Sequence, residues 1–309
     1  MNWTYFEILR IPELIEKIGK IGTSKFPFEN DKRYVFVGCG SSYNLALAIT
    51  QVMKKFGIES EIITGGKVIS FDYVPQCDVG IFISRTGEST ETVQAAAKFK
   101  NKGIKTIGVC CESKSSLQMV CDETYAFDFL HEESVVMTGS FVALLQFFIG
   151  GRDISEECSQ IIEESQSIIK EINLKSFNHF VFLGFDEEYA ISKEGALKME
   201  EMALQYVEFH EPLEYRHGPI ARLSDKSLVI INSKDTKFEF DLSEELRKHT
   251  KVIFLGKNGD IDIEYDNGLE IPIKLIFTLL LAYNKAITEG YNPDNPDKLS
   301  KSVKIDTDY

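Results

Sequence analysis

A short phrase that recurs at an offset of 146 residues constrains this chain more than anything else in it. Val35-Phe-Val-Gly38 has Tyr43 five residues beyond its glycine, and Val181-Phe-Leu-Gly184 has Tyr189 at the same distance. Each copy reads as a buried strand that ends on glycine and turns into a helix. Two copies in 309 residues predict two domains of one doubly wound design. The flanking pattern agrees. β-rich runs at 34–37, 61–63, 79–83, 105–109 and 124–127 alternate with helical patterns at 43–56, 91–102, 115–120 and 138–149. The alternation restarts with strands at 180–183, 228–231 and 252–255 and helices at 187–206, 243–248 and 271–289. Strands joined by helix-length crossovers make a parallel sheet covered on both faces. The expected division is an N-terminal helical extension (1–29, with its helix at 6–18), a first domain (30–150), a linker helix within 151–174, a second domain (175–290) and a tail (291–309).

The two copies differ at the strand-to-helix turn. Gly40, Ser41 and Ser42 in the first become Asp186, Glu187 and Glu188 in the second. Carboxylates suit the positive end of a helix but exclude a phosphate there, so only the first copy is expected to hold an anion. A second Gly/Ser/Thr turn, Ser84-Arg-Thr-Gly-Glu-Ser-Thr90, follows the run at 79–83, again at the carboxyl edge of a parallel sheet. Hydroxyls and exposed N–H groups give several neutral donors to one phosphate. Ser42 and Ser89 can equally be plain N-caps. Arg85 can grip a phosphate with two N–H groups or pair with Glu88 at the surface, and the surface pair is the expectation. Neither turn is a nucleotide motif. In Glu133–Phe141 the hydroxyls of Ser134, Thr138 and Ser140 either line a substrate pocket or start an ordinary capped helix.

The segment from Glu194 to Pro219 brings carboxylates, a lysine and a histidine together within about 25 residues. At helical spacing Glu194, Lys198, Glu201, Gln205 and Glu208 share one stripe, and Ala196, Met199, Ala203 and Val207 another. A carboxylate beside an amine and an imidazole can move protons near neutral pH. The same stripe also suits a solvated face with a Glu194–Lys198 ion pair at i,i+4.

Net charge of −14 argues against nucleic acid and anionic membranes as partners, because both need a positive field. Six cysteines show no metal-ligand or disulfide spacing. The N-terminus lacks a signal-peptide pattern, and the apolar stretches 135–149 and 271–283 read as too short to span a bilayer. A reduced, cytoplasmic location is expected.

These motifs in this order resemble the sugar isomerase (SIS) domain family in tandem, over about residues 30–304. The chain is similar to the isomerase half of glucosamine-6-phosphate synthase and to stand-alone glucosamine-6-phosphate deaminases. The resemblance rests on Gly38-Cys-Gly-Ser-Ser42, Ser84-Arg-Thr-Gly-Glu-Ser89, Ser134–Phe141, Glu194-Gly-Ala-Leu-Lys198, Glu214-Tyr-Arg-His-Gly-Pro219 and Leu299-Ser-Lys-Ser-Val303. It implies an α/β fold of two doubly wound, flavodoxin-like parallel-sheet SIS domains flanked by helices. Ser41, Ser42, Ser84, Thr86 and Ser89 would hold a sugar phosphate, with Gly40, Arg85, Ser134, Thr138 and Ser140 around the sugar. Glu201 would carry a proton between C1 and C2, with Lys198 beside it. His217 would open the sugar ring from a neighbouring subunit of a homodimer. Lys301, on a mobile tail, would close over the ligand and could form a Schiff base. Moving a proton next to a carbonyl needs one positioned base and neither a metal nor another cofactor.

Two positions depart from the family pattern: Arg85 replaces a common Gln, and Gly139 stands where a Lys often occurs. The chain also opens on Asn2 where the synthase's glutaminase carries a nucleophilic Cys, so breakdown of glucosamine 6-phosphate to fructose 6-phosphate plus ammonia is expected over its synthesis. The alternatives are another sugar-phosphate isomerase, a fructosamine-6-phosphate deglycase, or a non-catalytic sugar-phosphate sensor.

Overall fold

The computed structural model describes residues 2–21 and 25–305, so the expected tail is described only through 305. Two short helices come first, α1 (Trp3–Leu9) and α2 (Ile11–Gly19). One helix over 6–18 was expected. Pro12, in the first turn of α2, has no N–H to return to Ile8, and the ladder is interrupted at Arg10.

The first domain follows as β1 (Arg33–Gly38), α3 (Ser41–Lys55), β2 (Glu59–Thr64), α4 (Gly65–Phe71), β3 (Val79–Ile83), α5 (Thr90–Asn101), β4 (Lys105–Cys110), α6 (Ser116–Val120), β5 (Glu123–Ala126) and α7 (Gly139–Ile149). Its five strands are parallel in the order β2-β1-β3-β4-β5. Helix α8 (Ser155–Glu171) leads to β6 (His179–Leu183), α9 (Glu187–Ala203), β7 (Tyr206–His210), β8 (Ser227–Asn232), α10 (Lys237–Leu246), β9 (Lys251–Leu255) and α11 (Ile271–Glu289). The second sheet is also parallel, β7-β6-β8-β9. Among the described residues it repeats the first sheet's order without a fifth strand.

Alternation along the strands sets the layers. Tyr34 and Phe36 point into the large core shared by both domains, whereas Val35 and Val37 pack outward with Phe82, Ala95 and Phe99. The second sheet does the same, with Phe180 and Phe182 inward and Val181 and Leu183 outward. Each such fully buried side chain contributes about 1.5–3 kcal/mol. Helices α3, α7, α9 and α11 fill the space between the sheets. By length and composition α11 could cross a membrane, but 78% of its apolar window lies inside the protein.

Both repeated glycines are required by close approach. A Cβ on Gly38 would lie 2.7 Å from the Ser42 carbonyl carbon, and one on Gly184 would lie 2.5 Å from that of Glu188. The first turn of each following helix sits directly on the strand end.

Two expected boundaries are corrected, and one helix is added. The helix expected over 187–206 ends at Ala203, because Leu204 turns left-handed (φ 53°) and Tyr206–His210 become β7. Gln205, Val207 and Glu208 therefore leave the helical stripes. Helix α10 starts at Lys237 and not at 243, capped by Thr236 and Glu239 in a reciprocal capping box. Helix α4 was not expected; its Gly65-Gly66 start hides it.

Candidate functional site

The two repeated turns adopt the same backbone. Gly40 has φ 55° and ψ −127°, and Asp186, 146 residues on, has φ 50° and ψ −112°. Glycine takes this conformation freely; Asp186 takes it at a steric cost. The turns aim the starts of α3 and α9 past one another, and each helix start meets the end of the other helix.

At the first crossing, Lys198 Nζ donates to Ser41 Oγ at 2.9 Å and to Glu201 Oε2 at 2.5 Å. Glu194 Oε1 lies 3.2 Å from the same nitrogen, and Asn44 Nδ2 of α3 donates to Glu194 Oε2 at 2.8 Å. Lys198 and Glu194 are fully buried, while the Glu201 side chain keeps 21% of its surface open. Burial pushes the Lys198 amine down, but Glu194 and Glu201 outweigh it and hold it above its ordinary value. Burial pushes Glu194 up; Lys198 opposes and Glu201 adds to the rise. The result is a locked ammonium beside one partly open carboxylate. Asn44 was not singled out from sequence; the signal was a polar residue on the buried face of an apolar helix.

The second crossing is filled from within. Glu187, fully buried, pairs with Lys55 at the end of α3 and lies 3.1 Å from Lys234 Nζ, which also holds Asp186 at 2.6 Å. Glu188 lies 2.5 Å from Lys274 Nζ, with Glu270 at 3.6 Å from that nitrogen. The start of α9 is occupied by carboxylates already paired with lysines.

The turn after β3 carries Ser84, Thr86 and Ser89. The Ser84 hydroxyl is buried with no hydrogen-bond partner among the described residues. Thr86 Oγ1 accepts from the Glu88 N–H at 3.2 Å. Ser89 holds the N-cap position of α5 without a side-chain cap bond. Ser42 is buried in the first turn of α3.

Arg85 requires a correction. It does not pair with Glu88 at the surface. It is buried and donates to Glu132 Oε2 (3.2 Å), the Ser134 carbonyl (3.3 Å) and the Val135 carbonyl (2.7 Å). Glu88 instead accepts from the Ser116 N–H and hydroxyl and from Lys304.

Ser134, Thr138 and Ser140 are likewise committed inside the protein and not to an open pocket. Thr138 Oγ1 and Ser140 Oγ donate to Glu132 at 2.8 and 2.7 Å, and the Ser134 hydroxyl donates to Glu7 of α1. Burial first, then the charge of Glu132, pushes Glu7 above the usual carboxylate range. A buried charge needs such donors, so the hydroxyls answer to the carboxylates. Glu7 and Glu132 carried no sequence signal.

His217 stands exposed after the short turn Glu214–Arg216, and no hydrogen bond or ion pair to its ring exists among the described residues. Lys301 Nζ donates to the Glu132 carbonyl at 2.8 Å. Beyond it the tail lies on α5: the Thr90 N–H donates to the Val303 carbonyl (3.1 Å) and Lys304 Nζ to Glu88 (2.7 Å).

A cleft of about 350 Å³ adjoins the first crossing and shares Gly40 and Asn44 with it. Lys193 lines this cleft, its Nζ 4.7 Å from the Tyr43 ring centroid. Among the described residues no group of three or more His, Cys, Asp or Glu side chains is placed to hold a metal.

Known proteins resemble this chain in sequence and fold. A family model described as SIS domain matches residues 28–149 and 173–255. The chain is 31% identical to a glucosamine-6-phosphate deaminase of known structure from Thermotoga maritima, covering 98% of this chain and 99% of that one with a TM-score of 0.89. It is 28% identical to the glutamine–fructose-6-phosphate aminotransferase (isomerizing) of Chlorobaculum tepidum, across 89% of this chain and 51% of the relative. The chain thus spans about half the length of the curated relatives it matches. The C-terminal domain of glucosamine-fructose-6-phosphate aminotransferase from Francisella tularensis shares the fold (TM-score 0.79, 21% identity, covering 95% of this chain and 98% of that one).

Proposed function

The chain belongs to the SIS domain family as a phosphosugar isomerase-type protein, and from that premise we propose that it is an enzyme converting glucosamine 6-phosphate to fructose 6-phosphate and ammonia. The observation that carries the reading is the Ser41–Lys198–Glu201 bridge, which joins the anion-facing helix start of one domain to the acid–base helix of the other. A hexose phosphate is long enough to use both.

In this reading Ser41, Ser42, Ser84, Thr86 and Ser89 bind the phosphate. Neutral donors at a helix start suit a protein whose net charge is −14. The unpartnered Ser84 hydroxyl supports this, since a buried donor without a partner in the free protein gains one from a phosphate oxygen. Glu201, the partly open carboxylate, removes the C2 proton of the open-chain aldehyde and returns a proton at C1. The resulting C2 imine takes up water and releases ammonia, leaving the ketone. Lys198 stays protonated and fixes the Glu201 carboxylate.

His217, exposed and without a side-chain partner among the described residues, opens the sugar ring in a neighbouring copy, so the active form is a homodimer. Lys301 leaves the Glu132 carbonyl to meet the ligand.

The test is a panel of hexosamine 6-phosphates and fructosamine 6-phosphates assayed for ammonia and ketose. Ammonia release from glucosamine 6-phosphate at a rate above that of an unsubstituted aldose isomerisation is expected. Turnover of fructose 6-phosphate to an aldose with no ammonia from any amino sugar would reject the deaminase and leave an isomerase.

A further inference from the structure

The segment from Glu211 to Arg222 carries His217, yet His217 makes no side-chain bond among the described residues, so its place depends on what anchors the segment. Both ends converge on one carboxylate. Glu208, in the middle of β7, accepts from His179 Nε2 at 2.9 Å through Oε1 and from His210 Nε2 at 3.0 Å through Oε2. Arg222 Nη1, at the far end of the segment, lies 3.0 Å from the same Oε1. His210 precedes the segment directly, and its ring packs on Tyr215 at 5.6 Å between centroids. Tyr215, two residues before His217, is fully buried against Val181, Leu183 and Val229.

The partners assign the protons. The Glu208 carboxylate can only accept, so the His179 ring donates to it, while Ser227 Oγ lies 2.9 Å from His179 Nδ1 and accepts from the Ser224 N–H at 3.1 Å. His179 then carries its proton on Nε2, pointed at Glu208. Glu208 is met by donors from three elements: the first residue of β6, its own strand, and the turn that closes the segment. A carboxylate so filled has no freedom to move, and neither has the backbone it ties down.

We propose that Glu208 is the positioning residue that fixes where His217 is presented, so that losing it impairs the opening of the sugar ring while leaving the proton transfer at Glu201 intact. This inference rests on the proposed function, because it needs a ring to open and His217 to open it. Gln in place of Glu208 keeps the shape but turns one acceptor into a donor that faces N–H groups, which breaks the clamp on one side. Arg222→Met loosens the same clamp from its exposed end and leaves the buried histidines alone.

The experiment compares deuterium uptake from D2O at C1 of fructose 6-phosphate with that of 5-deoxyfructose 6-phosphate, which lacks the oxygen that closes the ring. It is run on the full chain and on Glu208→Gln and Arg222→Met, with circular dichroism on each. A fall of about tenfold on fructose 6-phosphate is expected for both variants, part of the ~10²–10⁴ that a placed acid–base group supplies. The acyclic analogue should stay within about twofold of wild type. Equal losses on both sugars, or none on either, overturn the inference. Should Glu208→Gln fail to fold, Arg222→Met decides alone by the same split. A wild-type protein that exchanges neither sugar sinks this inference, and sinks the proposed function with it if it also releases no ammonia from glucosamine 6-phosphate. Wild-type exchange with unaffected variants sinks only the inference.

Discussion

Lys198 of α9 and Ser41 of α3 meet at 2.9 Å across the boundary between the two domains. Neither domain owns the site: one contributes a helix start, the other a buried ammonium and a carboxylate. The pseudo-equivalent meeting, Glu187 with Lys55, places a carboxylate of α9 against a lysine of α3. One fold thus presents the same crossing twice, once with a lysine of α9 on a hydroxyl of α3 and once with a carboxylate of α9 on a lysine of α3.

Lys198→Met leaves Glu194 fully buried without its counter-charge. Breaking a buried pair from one side costs about 3–5 kcal/mol, a loss that denaturant melts would register. Adding Glu194→Gln removes the stranded charge, so the double variant should be more stable than Lys198→Met alone. Equal stabilities would mean that Glu194 does not depend on the lysine.

Glu201→Gln preserves size and removes the base. Proton exchange at C2 of glucosamine 6-phosphate should fall by about 10²-fold or more. Phosphate affinity, assigned by the proposed function to the other domain, should hardly change in a calorimetric titration. Wild-type exchange would remove Glu201 from the mechanism.

Two hydroxyl deletions should separate binding from stability. Ser84 has no side-chain partner to lose among the described residues, so Ser84→Ala should leave the melting midpoint unchanged or slightly raised. It should raise KM, because a hydrogen bond to a charged group contributes about 1.5–3 kcal/mol. Thr138→Val deprives the buried Glu132 of a donor and should cost about 1–3 kcal/mol of stability with KM intact. The reverse pattern would exchange their roles.

Much of this was legible in the residues, and what was not has physical causes. The repeat at Gly38 and Gly184 gave both sheets, because a glycine under the first turn of a helix leaves a fixed spacing. Lys198 and Glu201 come together as their i,i+3 spacing allows, whereas Ser41 joins them from 157 residues away through the tertiary fold. Glu208 was misread as helical, since a Glu-rich period continues through Gln205 and only the left-handed Leu204 breaks it. Arg85 was assigned to the surface because its partner Glu132 lies 47 residues away. Local spacing says nothing about a buried pair closed by tertiary contact. Thr236-Lys-Phe-Glu239 was a readable capping box that was passed over.

Stability should depend on pH through Glu188. Burial, reinforced by Glu270, pushes its carboxyl well above the usual range, while Lys274 opposes the rise. The folded state therefore holds a proton that the unfolded chain releases near its ordinary value of about 4.3. The stabilisation is complete below that value and is lost as pH rises toward the folded-state value. Gln at 188 can accept from Lys274 and donate to Glu270 with no proton to lose. Glu188→Gln should flatten the decline in unfolding free energy that sets in as pH rises above the ordinary carboxylate range, read from denaturant melts. An unchanged slope would mean that Glu188 is ionised in the folded protein.

The tail offers a cleaner separation of function from stability. Its seat on α5 consists of the Thr90 N–H to the Val303 carbonyl, the Ile305 N–H to Thr90 Oγ1, and the exposed Lys304–Glu88 pair. Exposed pairs contribute about 0–1 kcal/mol, so deleting 300–309 should barely move the melting midpoint. The Thr90 amide, deprived of its acceptor, should exchange with solvent deuterium faster while the middle of α5 does not. Turnover should collapse with Lys301 gone, and Lys301→Ala alone should reproduce that loss with Thr90 exchange unaltered. A truncated chain with full turnover would show that the site works without its tail; unaltered Thr90 exchange in the truncated chain would show that the tail does not rest there in solution.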